Sequence, residues 1–262
     1  MLPNTLSKLL APAALCCGLI APLASATVVH VKTSQGDFDI NLFDSTTPKT
    51  VANFLSYVER EDYSNVIVHR SVPGFVVQSG GYTYNPESQR LDVVAQDPAV
   101  DNEPELSNVR GTIAMAKLGS DPNSATSQWF FNLTNNAANL DNQNDGFTVF
   151  GVVMGDGMDV IDAIADLPVY NAGSPLNSLP LQSEPGEDET LTDEHFVIIE
   201  SITVIDPNTD TNLELMPPKT TKPPTNGGDN GGNNGGSGGG GSTGLLALLA
   251  LAGLSFRRLL NR

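Results

Sequence analysis

The sequence predicts a mostly β domain with two helices, arranged as a barrel with capped ends. Three observations carry that prediction. Short runs of alternating apolar and polar residues recur between turn signals. Two stretches place apolar residues at helical spacing, and they lie far apart in the chain.

Each element has a local reason. Thr27 to Phe43 alternates around Ser34-Gln35-Gly36-Asp37 and reads as a β-hairpin. In the first helix Thr47 is the cap, Pro48 takes the first position, and Val51, Phe54, Leu55 and Val58 form one stripe. Strands follow over Val66 to Arg70, Phe75 to Gln78, Thr112 to Met115, Gln128 to Leu133 and Thr148 to Val153. Gly157 to Leu167 is the second helix, with Met158, Ile161, Ile164 and Ala165 on one side and Pro168 ending it. His195 to Ile205 supplies a closing strand. No internal repeat is present.

The ends read differently. Residues 1–26 hold one charge, Lys8, an apolar run from Leu9 to Leu23, and Ala24-Ser25-Ala26, the pattern of a cleaved signal peptide. Both cysteines, Cys16 and Cys17, lie inside it, so the mature chain has none and disulfides play no part in its stability. Residues 27–206 form the folded domain. Residues 207–242 are Pro-, Gly- and Asn-rich, too poor in apolar side chains to order, and read as a disordered linker. Residues 243–262 hold an apolar run, Leu245 to Phe256, followed by Arg257, Arg258 and Arg262. That run is short against the roughly 20 residues of a bilayer span.

Between Thr27 and Ser242 stand nine Lys/Arg and all 30 Asp/Glu, a net charge of −21. Such a surface disfavours nucleic acid, whose binding depends on cations that neutralise phosphate. It suits an exported, soluble domain. GEDET (Gly186 to Thr190) reads as a solvated loop. DNQNDG (Asp141 to Gly146) resembles the start of a calcium loop, but Gln143 does not match its third position and Val152 stands where the closing Glu should be. His30, His69 and His195 lack ligand spacing, so no metal and no cofactor are implied.

Two stretches carry chemistry: VHRSVPGFVVQSGG (Val68 to Gly81) and GTIAMAKLGSDPNSATSQWFFNL (Gly111 to Leu133), followed by GFTVFGVV (Gly146 to Val153). An Arg five residues before a Phe and eight before a Gln, then IAMA, then Ser-Gln-aromatic-Phe, together resemble the cyclophilins. The resemblance covers about Thr27 to Asp206. It implies a closed eight-stranded antiparallel barrel capped by two α-helices, and peptidyl-prolyl cis/trans isomerase activity. The Gly-rich linker, apolar run and basic end resemble a GlyGly-type C-terminal sorting signal. That likeness implies transient membrane contact through the tail, cleavage, and release to the periplasm, outer surface or exterior of a Gram-negative cell.

Rotation about a peptide bond costs about 18–20 kcal/mol because resonance is lost. X-Pro isomers are nearly balanced, so the obstacle is kinetic. A catalyst needs a dry pocket for the proline ring and a donor that favours the twisted amide. The resemblance assigns the donor to Arg70, its orienting partner to Gln78, and the apolar walls to Phe75, Phe130 and Leu140. It assigns Gln128, Met115 and Ala116 to the groove for residues before the proline. Val76 stands where many relatives have Met, Asn139 where they have Trp or Phe, and Phe147 where they have His or Tyr. Val76 and Phe147 therefore line an altered pocket, and Asn139 implies weak cyclosporin binding. Trp129, one residue from Gln128, points away into the core, and His69 into packing. The implied partners are proline-containing polypeptides, met by a monomer. The rival readings are a proline-segment scaffold with little turnover, and a surface protein acting through its tail; activity surviving truncation at Asp206 would separate them.

Overall fold

A computed structural model describes residues 27–186, 189–207 and 215–221. The first half of the domain runs β1 (Val28–Thr33), β2 (Gly36–Leu42), α1 (Pro48–Glu59), β3 (Val66–Ile67), β4 (Arg70–Val72), β5 (Val76–Ser79), β6 (Tyr82–Asn85) and β7 (Arg90–Val93). The second half runs β8 (Thr112–Met115), β9 (Trp129–Asn132), α2 (Ala137–Leu140), β10 (Val149–Val153), α3 (Gly157–Ala165), β11 (Val169–Tyr170), β12 (Leu179–Pro180) and β13 (Ile198–Asp206). Eleven strands pair in the order β4-β5-β9-β8-β10-β2-β1-β13-β3-β6-β7, and β11-β12 stand apart. The domain is mostly β with few helices, as the alternation predicts.

The differences have simple causes. The predicted strand Val66 to Arg70 breaks in two because it changes partner midway. Its first half pairs with β13 and its second with β5. Val68 N–H still donates to Val197 O at 2.9 Å, and His69 N–H to Gln78 O at 3.2 Å. The β6–β7 hairpin escaped prediction although Tyr82-Thr83-Tyr84-Asn85 and Arg90-Leu91-Asp92-Val93 both alternate, because each arm is only four residues long and β7 is largely exposed. Helix α2 is a single turn, too short for a helical period.

Thr47 precedes α1, but its hydroxyl does not cap the helix. It leans back to Phe43 O at 3.4 Å. A carboxylate from a distant loop takes the cap instead: Glu103 accepts from the backbone N–H of Lys49 (3.2 Å) and Thr50 (2.9 Å), and from the Thr50 hydroxyl (2.8 Å). An anion there also meets the positive end of the helix dipole. Nothing local in the sequence announces it.

The main core fills the space between the sheet and helices α1 and α3. Phe54 is fully buried, its ring 5.4 Å from Tyr63, 6.3 Å from Trp129 and 5.1 Å from Phe150. Trp129 belongs to this core, as its strand parity requires.

Part of the expected linker is seated on the domain. Ser107 N–H donates to Pro218 O at 2.8 Å, Thr220 N–H donates to Glu105 O at 3.0 Å, and Leu106 bridges Lys219. Pro217 and Pro218 lack an N–H, and this pairing asks only a carbonyl of Pro218. The signal-peptide region, most of the linker, the apolar tail, and Glu187 and Asp188 of the acidic run lie outside the described residues.

Candidate active site

Strand register collects the site. Arg70 lies opposite Gln78, Gln78 opposite Phe130, Phe130 opposite Ala114, and Ala114 opposite Val149. Directly opposed residues share a face, so one row of side chains crosses five strands on the side away from Trp129. Residues dispersed over about half the domain thus meet through backbone pairing alone.

Arg70 is 6% exposed. Its Nη1 donates to Gln78 Oε1 at 3.3 Å, and Gln78 Nε2 donates to Gln128 Oε1 at 2.9 Å. Among the described residues no carboxylate pairs with this guanidinium. Burial lowers its pKa from the ordinary value, with no charged neighbour contributing. A buried cation without a counterion is costly to fold. Held by one neutral amide, it keeps its other donors for a bound molecule. Gly81 leaves room for this chain, since a Cβ there would lie 3.0 Å from the Gln128 amide.

The walls stand beside it. Val76, Ala114, Ala116, Phe130, Leu140, Phe147 and Val149 form one buried apolar cluster, with Phe75 half-buried against it. The Phe130 and Phe147 rings meet edge-on, 5.9 Å apart at 73°. Leu106, beneath them, is fully buried in the same cluster, and Met216 of the seated segment packs on it. Asn139 is half-buried on α2 just before Leu140.

One expected residue lies elsewhere. Met115 pairs with Trp129 and joins the main core, so it faces away from the groove. The reason is strand parity: its neighbours Ala114 and Ala116 take the groove side. His69 is buried as expected, 5.1 Å from the Tyr82 ring and edge-on to it. Burial first, and the Arg70 charge second, hold its pKa down at about 3, so it stays neutral.

Sequence reading missed Lys117. Its buried ammonium donates to Asn144 O at 2.7 Å and to Gly146 O, and sits 4.9 Å over the Phe147 ring. Gly146 has φ +80°, which suits a residue without a side chain, and precedes Phe147 directly. The lysine thereby braces both the turn and the ring.

A family model described as cyclophilin type peptidyl-prolyl cis-trans isomerase/CLD matches residues 28–183. The chain belongs to this cyclophilin family. Peptidyl-prolyl cis-trans isomerases of three bacteria are among its relatives. That of Acinetobacter baylyi is 39% identical over 152 residues, covering 58% of this chain and 78% of its own. Isomerase A of Dickeya dadantii is 40% identical over 162 residues, 60% of this chain and 81% of its own. Isomerase B of Escherichia coli is 37% identical over 181 residues, 68% of this chain and 99% of its own. The cyclophilin is thus a peptidyl-prolyl cis-trans isomerase. Its site holds a donor beside a dry apolar cluster, which is what bond rotation without covalent chemistry requires.

Proposed function

We propose that this cyclophilin accelerates X-Pro rotation in exported polypeptides, with Arg70 favouring the twisted amide. One observation carries the reading: a nearly buried guanidinium that no carboxylate among the described residues neutralises. In the twisted state the prolyl nitrogen gains a lone pair that accepts a hydrogen bond. A guanidinium can serve that nitrogen and the neighbouring carbonyl together. Gln78 orients Arg70, Phe75, Phe130, Leu140 and Phe147 enclose the ring, and Gln128 and Ala116 flank the preceding residues. The experiment is catalysed isomerisation of a peptide series varied before proline, by the purified protein and its Arg70→Lys form. Lysine keeps the charge and loses the planar fork, so the rate falls at least about tenfold. An unchanged rate would remove Arg70 from the mechanism, and binding without turnover would make the groove a proline-recognition scaffold.

We infer that the sheet closes into an eight-stranded barrel, with residues 66–72 as the strand that meets both β13 and β5. Export is supported at Thr27, whose backbone nitrogen lies 2.7 Å from Asp44 Oδ2 and whose hydroxyl lies 2.9 Å from Oδ1. Cleavage after Ala26 would create an ammonium there, already facing a carboxylate. An intact mass beginning at Thr27 is expected of the exported protein, and one retaining residues 1–26 would refute the cleavage. The basic apolar tail supports sorting to the periplasm, cell surface or exterior after brief membrane contact.

A further inference from the structure

Beneath the pocket, amide side chains connect the backbone of Phe75 to that of Phe147. Asn136 Nδ2 donates to Phe75 O at 3.0 Å and to Asn132 Oδ1 at 2.8 Å. Asn132 Nδ2 donates to Asn108 Oδ1 at 3.2 Å. Asn108 Nδ2 donates in turn to Phe147 O and to Asp141 Oδ1, both at 3.0 Å. Leu140 hangs between the two ends: its N–H donates to Asn136 O at 2.8 Å, and its carbonyl accepts from Phe147 N–H at 3.1 Å. Asn108 and Asn132 are fully buried, and Asn136 and Asp141 nearly so.

An apolar floor would hold these walls together without holding them at a distance, because hydrophobic contact has no direction. Hydrogen bonds constrain length and angle. Asn132 and Asn108 each both donate and accept, and Asn136 donates at the head of the chain, so the relay runs one way and slack at one link reaches both ends. Phe75 and Phe147, drawn from two separate loops, and Leu140 at the end of the single-turn helix α2 are the groups it ties. The walls on strands, Phe130 and Val76, are already set by the sheet.

We propose that Asn132, at the centre of the relay, is a specificity-determining positioning residue. It sets the span between Phe75 and Phe147, and with it the ring size the pocket accepts. This rests on the isomerase reading above. A pocket of set width favours the five-membered ring of proline over the six-membered ring of pipecolate; a loosened one does not.

The test uses the full chain and its Asn132→Ala, Asn108→Ala and Val31→Ala forms, with matched peptides holding proline or pipecolate. Val31 lies fully buried in the main core, away from the relay, and its truncation gives a destabilised control. Asn132→Ala raises KM for the prolyl peptide about tenfold, the scale of a buried hydrogen bond, with little change in kcat. It reduces the preference for proline over pipecolate by a similar factor. Asn108→Ala does the same from the neighbouring link and carries the test should Asn132→Ala not fold. Val31→Ala melts at lower temperature and keeps the wild-type preference. An unchanged preference in both relay variants, or an equal loss in Val31→Ala, overturns the proposal while leaving the isomerase reading intact. A wild-type protein that neither turns over nor binds prolyl peptides overturns both.

Discussion

Strands β5, β9 and β8 present two faces built from alternate residues, and the two faces obey different physics. Inward point Val77, Trp129, Phe131, Ile113 and Met115, which share one apolar core with Phe54, and Ser79, whose hydroxyl is satisfied by Ile67 O at 2.9 Å. Outward point Val76, Gln78, Phe130 and Ala114, joined by Arg70 across the register. The outer face is as dry as the inner, yet it encloses a cation, and buried asparagines and an aspartate lie beneath it. Stability is gathered on the inside, where apolar area leaves water. Chemistry is gathered on the outside, where polar groups are buried at a cost and held in place.

The largest effect should come from breaking the inner face. Phe54→Ala removes a fully buried ring that meets three other aromatic rings, and should destabilise by about 3–5 kcal/mol. Denaturant unfolding checks it, and a loss under 1 kcal/mol would show that the core had been misplaced.

Acid sharpens the comparison at the boundary between the faces. His69 has a folded pKa near 3 against an ordinary value of 6.5. The unfolded chain therefore binds the proton first, and stability present above pH 6.5 is lost as pH falls toward 3. The slope is roughly 1.4 kcal/mol per pH unit. His69→Phe should flatten that part of the pH–stability curve; a parallel curve would mean that His69 titrates normally in the fold.

A smaller effect belongs to the seated tail. Ending the chain after Asp206 removes Met216 and two backbone hydrogen bonds, and should lower stability by about 1–2 kcal/mol. Ending it after Thr221 should cost nothing measurable in a thermal melt. Equal melts for the two would mean the segment is not held. This changes the expectation that the domain stops at Asp206.

How much of this the sequence disclosed follows from the range of each interaction. The hairpin, α1, α3 and the inward placement of Trp129 rest on local periodicity, and all were legible. Arg70, Phe75, Gln78 and Phe130 were legible through spacing that resembles a family, and strand register then brought Arg70, Gln78 and Phe130 onto one row. Met115 was assigned to the groove although parity with Trp129 sends it inward, a constraint available in the sequence once the strands were paired. Glu103 at the α1 terminus and Lys117 over Phe147 could not be read, because each acts across tens of residues through loops without periodicity. The asparagine relay had a faint signal in Asn132, Asn136 and Asp141, whose side chains cluster around a single turn.

The central claim is that rate and stability reside on opposite faces of one sheet. Measuring X-Pro isomerisation and the thermal midpoint of Arg70→Ala on the same sample tests it most directly. The expected result is a rate down at least about tenfold with the midpoint unchanged or raised, since the variant removes a buried cation that no carboxylate among the described residues neutralises. A midpoint that falls in step with the rate would make Arg70 a structural residue and contradict the claim.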